Sequence, residues 1–318
     1  MKNKLLSVFL TAIIILLPLC GCTAPVKIED DFTVVCSIFV PYDFARQVAG
    51  DRAKVKMLLP PGVESHAYEP TPSDIITIEN ADVFLYVSEH TETWVTRIID
   101  SLSGDKVKTV DMAETLGIEV HDHHHEHGEH EHEEEHAHDH EDGEADEHIW
   151  TNLETAADMV RLTADVLSEN DLANAGYYNT NAKKYIAEIL SLRDDFSSLV
   201  SSSKRREIVS GSRFAMRNFT EEFGIEFTAA FDSCVDNTEP SAGVMAKIID
   251  TIKADSIPVI FYEELTEPKI ARAVSLETGA KMLLIHSCHN VSASEFRSGE
   301  SYVSLMTKNY ENMKEALN

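Results

Sequence analysis

Positive charge is what this sequence has least of. Its 318 residues carry 27 Lys+Arg against 55 Asp+Glu, a formal net charge of −28. A surface this acidic repels phosphate backbones and anionic lipid, which excludes nucleic acid as a partner and favours cations. Long apolar runs are scarce as well. The N-terminal one, residues 5–19, is broken by Ser7, Thr11 and Pro18 and is shorter than the roughly 20 residues a spanning helix needs. With Lys2 and Lys4 before it and small residues after it, it has the pattern of a secretory signal over residues 1–22. The mature chain is therefore expected outside the cytoplasm. At 43% hydrophobic residues the remainder can fill two ordinary cores, so wholesale disorder is excluded.

Cysteine is sparse too, with five in all. Leu19-Cys20-Gly21-Cys22 resembles the lipobox of bacterial lipoproteins, which implies that Cys22 is lipidated and holds the protein on the outer face of the cell membrane, or in the periplasm. Ordinary cleavage with Cys22 unmodified is the alternative. Of the others, Cys36 sits in a buried-strand pattern and reads as a small core hydrophobe. Cys234 and Cys288 follow strand-like runs into polar loops. They are the candidate disulfide pair, or else two unrelated buried thiols.

Short β-rich runs alternate with helical patterns in two series. The first has strands near 33–40, 54–59, 83–87 and 106–110, with helices near 43–50, 73–80 and 91–102; Ser73 is the expected cap of the second helix. The second series has strands near 207–210, 225–230, 257–262 and 281–285, with helices near 213–223, 241–254 and 267–278. That rhythm predicts βαβ units on parallel sheets, so the fold class is α/β with two lobes. Between them Tyr178, Ala182, Tyr185, Ile186, Ile189, Phe196, Leu199 and Val200 step by three and four, predicting one long rigid helix. The expected organisation is signal and lipobox at 1–22, an N-terminal lobe at 23–172, a connector helix at 173–203 and a C-terminal lobe at 204–318.

Residues 121–147 hold thirteen carboxylates and no Lys or Arg. Ten of the first twenty are histidines: His121, His123, His124, His125, His127, His130, His132, His136, His138 and His140. With almost nothing apolar to bury, the tract is expected to be a disordered loop. Its imidazoles and carboxylates suit loose, multi-site metal capture. His132-Glu133-Glu134-Glu135-His136 matches a zinc-protease motif in form, but a stretch with no apolar face cannot dock as the helix that motif requires.

Outside the tract, His66 stands in a loop stiffened by Pro60, Pro61, Pro70 and Pro72, between a strand end and a helix, where α/β sheets bind ligands. His90 has no second cue and reads as a surface or capping residue. The run Gly62–Asp74 around His66, the His-rich insertion and Glu147-His148-Ile149-Trp150 after it resemble the substrate-binding lipoproteins of bacterial zinc and manganese ABC importers, over essentially the whole mature chain. The resemblance implies two α/β lobes joined by one rigid helix, with the metal in the interlobe cleft. It implies His66 and His148 as direct ligands. The family's third histidine aligns with Arg213, which cannot ligate, and its acidic fourth ligand aligns with His286. His289, three residues on, either supplies the missing nitrogen or bonds backbone; Glu263 and Asp232 are further candidates. Arg213 is expected to pair with Glu263 or Glu264.

The function implied is a lipid-anchored receptor, a monomer, that captures Zn2+ and delivers it to a membrane permease. A nitrogen-rich site of His66, His148, His286 and His289 favours zinc over manganese. The competing readings are a secreted zinc hydrolase, for which no base motif accompanies His66 or His148, and an extracellular metal buffer or adhesin whose function is the His tract. The chain is therefore expected not to be an enzyme.

Overall fold

The computed structural model describes residues 31–65, 68–102, 104, 106–118, 120, 146–231 and 240–318. Residues 32–318 make one compact unit, and its framework is a pair of four-stranded parallel sheets. The first contains β1 (Thr33–Cys36), β2 (Lys54–Met57), β3 (Val83–Tyr86) and β4 (Lys108–Asp111) in the order β2-β1-β3-β4. The second repeats the plan with β5 (Glu207–Ser210), β6 (Glu226–Ala229), β7 (Val259–Glu263) and β8 (Lys281–Ile285), ordered β6-β5-β7-β8. Both are the α/β lobes expected from the alternating pattern, because parallel neighbours need helical crossovers that cover the sheet.

Helices α1 (Phe39–Ala49), α2 (Pro72–Glu79), α3 (Thr93–Ser101) and α4 (Met112–Leu116) belong to the first lobe, and α5 (Leu153–Asn170) packs along α6 (Ala175–Ser202). The second lobe carries α7 (Arg217–Phe223), α8 (Ala242–Asp255), α9 (Lys269–Thr278), α10 (Ala293–Ser298) and α11 (Tyr302–Leu317). One boundary differs from expectation: the apolar run at 33–40 is not one strand. β1 stops at Cys36 and α1 starts at Phe39, because buried strand and buried helix look alike in a continuous apolar run, and Pro41 is tolerated in a helix's first turn. The cap of α2 is Thr71, not Ser73: its N–H and hydroxyl both donate to Asp74 Oδ2 at 2.7 Å, and Pro72 follows.

Helix α6 runs 28 residues and buries Tyr178, Ala182, Tyr185, Ile189, Phe196, Leu199 and Val200 on the predicted stripe. The main core is shared by both lobes and α6, while a second cluster of Val209, Ile248, Ile252, Ile260, Ala271 and Val274 lies within the second lobe. The lobes also meet on one buried carboxylate. Asp43 in α1 accepts from Arg46 Nε at 2.7 Å, from the Tyr185 hydroxyl of α6 at 2.6 Å and from the Tyr302 N–H of α11 at 2.8 Å. Cys36 is wholly buried, as its setting predicts. Among the described residues no helix is long and apolar enough to cross a membrane.

Candidate metal centre

The C-terminal ends of both sheets border a cleft lined among others by Glu64, Ser65, His148, Arg213, Glu263 and His289. His148 begins a single 3-10 turn, Ile149–Thr151, and is itself almost fully buried. Asp146 fixes it twice, accepting the His148 N–H at 3.2 Å and its ring Nδ1 at 2.7 Å. Proton on Nδ1 leaves Nε2 as the lone-pair nitrogen, the arrangement by which a second carboxylate orients a metal-binding imidazole. Burial pushes the Asp146 carboxyl up, but the charge and hydrogen bonds of His148 outweigh it and hold it below the ordinary range. Asp146 also reaches the second lobe, accepting the Arg217 N–H at 3.2 Å and, through its carbonyl, Asn218 Nδ2 at 3.0 Å. Asp146 and Glu147, read from sequence as the last acids of the 121–147 tract, are thus described residues. The ten tract histidines lie outside the described residues, as do His66, Cys22, Asp232 and Cys234.

The second lobe contributes the turn after β8. Cys288 adopts a left-handed φ of 62°, a conformation non-glycine residues resist and one that clusters at functional sites. This reversal sends the two histidines of the turn in different directions. His286 faces the core: its Nδ1 accepts the Cys288 N–H at 2.9 Å, its N–H donates to Asn309 Oδ1 at 2.8 Å, and it does not line the cleft. His289 does line it. Its ring lies 5.2 Å from that of His148, centroid to centroid, at an interplanar angle of 78°. Cys288 is enclosed in the core, and the expected Cys234–Cys288 pair falls on Cys234, which lies outside the described residues.

Three hydrogen bonds bring the His66 loop toward this turn. Asn290 Nδ2 donates to the carbonyls of Pro60 at 2.9 Å and Val63 at 2.7 Å, and the Gly62 N–H donates to the Val291 carbonyl at 2.8 Å. On the facing wall, Gly211 follows β5, where a Cβ would stand 2.7 Å from the Ala271 backbone of α9, so only glycine lets the turn to Arg213 pass. Glu263, at the end of β7, accepts the Ala215 N–H at 3.2 Å. Burial raises its carboxyl well above the ordinary range and the charge of Glu264 adds to this, while His148, the Ala215 N–H and Arg213 pull it back. Glu264 itself turns to Ser287, accepting its N–H at 3.0 Å and its hydroxyl at 2.6 Å. Among the described residues no three His, Cys, Asp or Glu side chains converge closely enough to hold an ion by themselves.

Residues 34–316 match the family model described as zinc-uptake complex component A, periplasmic, ZnuA. The chain belongs to the ZnuA family. It is 31% identical to the high-affinity zinc uptake system protein ZnuA of Bacillus subtilis, over 91% of this chain and 88% of that protein. It is 29% identical to the zinc-binding lipoprotein AdcA of Streptococcus pneumoniae over 93% of this chain, and spans 58% of that relative's length. The Zn(II)-bound ZnuA-like domain of the same AdcA superposes with a TM-score of 0.71 at 28% identity, covering 90% of this chain and 99% of that one. Sequence reasoning within the ZnuA frame missed Asp146, which looked like one more acid of the tract, and gave Glu64 and Ser65 no role of their own within the Gly62–Asp74 run.

Proposed function

We propose that this ZnuA-family chain captures Zn2+ outside the cytoplasm and delivers it to an ABC permease, anchored through a lipid on Cys22. The ligands are His148 and His289, completed by His66 from the pinned loop and by Glu263 or water. The observation that carries this reading is the pair of facing imidazoles. With Zn–N bonds of about 2.0–2.1 Å and a tetrahedral angle, two imidazoles on one zinc have centroids roughly 5 Å apart, which is the separation found. Relatives whose names carry zinc binding support the choice of metal. We read the chain as a receptor and not an enzyme, because the family and the relatives it matches are named for zinc binding and zinc uptake.

Isothermal titration of zinc into the wild-type protein and three alanine variants tests this. His148→Ala and His289→Ala should each lower affinity by about 100-fold or more, whereas His286→Ala should change it by less than about tenfold. An order with His286→Ala worst would restore the alignment-based ligand and defeat the geometry.

A further inference from the structure

Within the reading just proposed, the two facing imidazoles come from opposite lobes, so something must hold them in register before a metal arrives. Trp150 stands where that is done. Its side chain is wholly buried, with ring centroids 5.2 Å from His148 and 5.3 Å from His289, at interplanar angles of 69° and 68°. The three rings thus form a closed triangle of edge-to-face contacts, each side within the range where aromatic pairs attract.

The polar end of the indole adds direction to this contact. Trp150 Nε1–H donates to the Ser287 carbonyl at 2.8 Å, inside the turn that carries His289. Its own carbonyl accepts the Tyr302 hydroxyl at 2.7 Å, from the first residue of α11. One residue therefore follows the first-lobe ligand by two positions, grips the second-lobe ligand's turn by hydrogen bond and is gripped in return by the second lobe's last helix. A buried indole N–H that lost its acceptor would be left unsatisfied, so this bond ties the position of the turn to the indole.

We propose that Trp150 is a positioning residue for metal capture: it never touches the ion, but it presets the His148–His289 separation across the lobes. Preorganisation of this kind raises affinity by removing ordering cost from the binding step.

The test uses the whole chain, purified without metal, with zinc affinity read by chelator competition and ligand geometry read by visible absorption of Co2+ placed in the site. Trp150→Phe keeps an aromatic ring against both imidazoles and removes the N–H. It should lower zinc affinity about tenfold or more and weaken the intense visible bands of tetrahedral cobalt. Tyr302→Phe, which frees the Trp150 carbonyl and leaves the indole in place, should move both readouts in the same direction by a smaller amount. It decides the matter if the first variant fails to fold. Affinity within about twofold of wild type in the folded variants, with an unchanged cobalt spectrum, overturns the proposal. A wild-type protein that takes up no stoichiometric zinc overturns instead the receptor reading on which it rests.

Discussion

Asp146 holds both the backbone and the ring of His148 and shares its second oxygen with the Arg217 N–H of the other lobe. Replacing it with asparagine keeps the size and one acceptor but removes the charge that orients the imidazole. Asp146→Asn should lower zinc affinity by about 10–100-fold while leaving the thermal midpoint of the metal-free protein near wild type, as competition titration and calorimetry would show. Unaltered affinity would mean that the ring is held by packing alone. Single residues were also the hardest to read from sequence. The Glu-His-Ile-Trp context marks His148, yet Asp146 hides among the tract's acids. The His286/His289 order depends on a left-handed residue, and no glycine stands at Cys288 to announce it. Arg213, Glu263 and Glu264 all line the cleft, and the charge of Arg213 pulls the Glu263 carboxyl down.

Between elements, the ends of β1 and β3 meet the start of α3 over another acid. Glu92 is fully buried, its Oε2 accepting the Val87 N–H at 2.7 Å. Burial pushes its carboxyl up to about 7, against the pull of these hydrogen bonds. The unfolded chain releases this proton near pH 4.3 and the folded one only near 7, so the folded state holds the extra proton in between. Stability contributed here is full at low pH and is lost as pH rises through that window. Glu92→Gln mimics the protonated form, so it should stabilise the protein at pH 8 by on the order of 2 kcal/mol and change little at pH 4. Thermal denaturation at both pH values checks this; an equal shift at each would show that the proton is not the cause. Element identity was legible wherever strands were bounded by polar turns, as at β5 and β8. It blurred at 33–40, where residues buried on every side lack the alternation that separates strand from helix.

At the scale of the whole molecule, the two-lobe plan and its long helix were legible because hydrophobic periodicity survives over many residues. The way the lobes meet was not, since it rests on a shared core and on hydrogen bonds between residues far apart in sequence, from 71 positions for Asp146–Arg217 to 259 for Asp43–Tyr302. That distinction fixes where the His tract can be cut. Removing residues 121–145 should leave one tight zinc per chain and abolish only weak extra binding, whereas removing 121–147 also takes Asp146 and should degrade the tight site. Equilibrium dialysis of the two deletions separates these outcomes, and equal loss in both would tie the tight site to the tract itself.

Asp43, joined to α1, α6 and α11 at once, bears on how cargo leaves. Parting α1 from α11 would take from this buried carboxylate one of its donors, the Tyr302 N–H, while Arg46 stays with it in α1. In the role proposed above, a wide jaw-like motion is thus the costlier route, and release by way of the rim, at the turn around Cys288 and the loop bonded to it, would leave this rivet undisturbed.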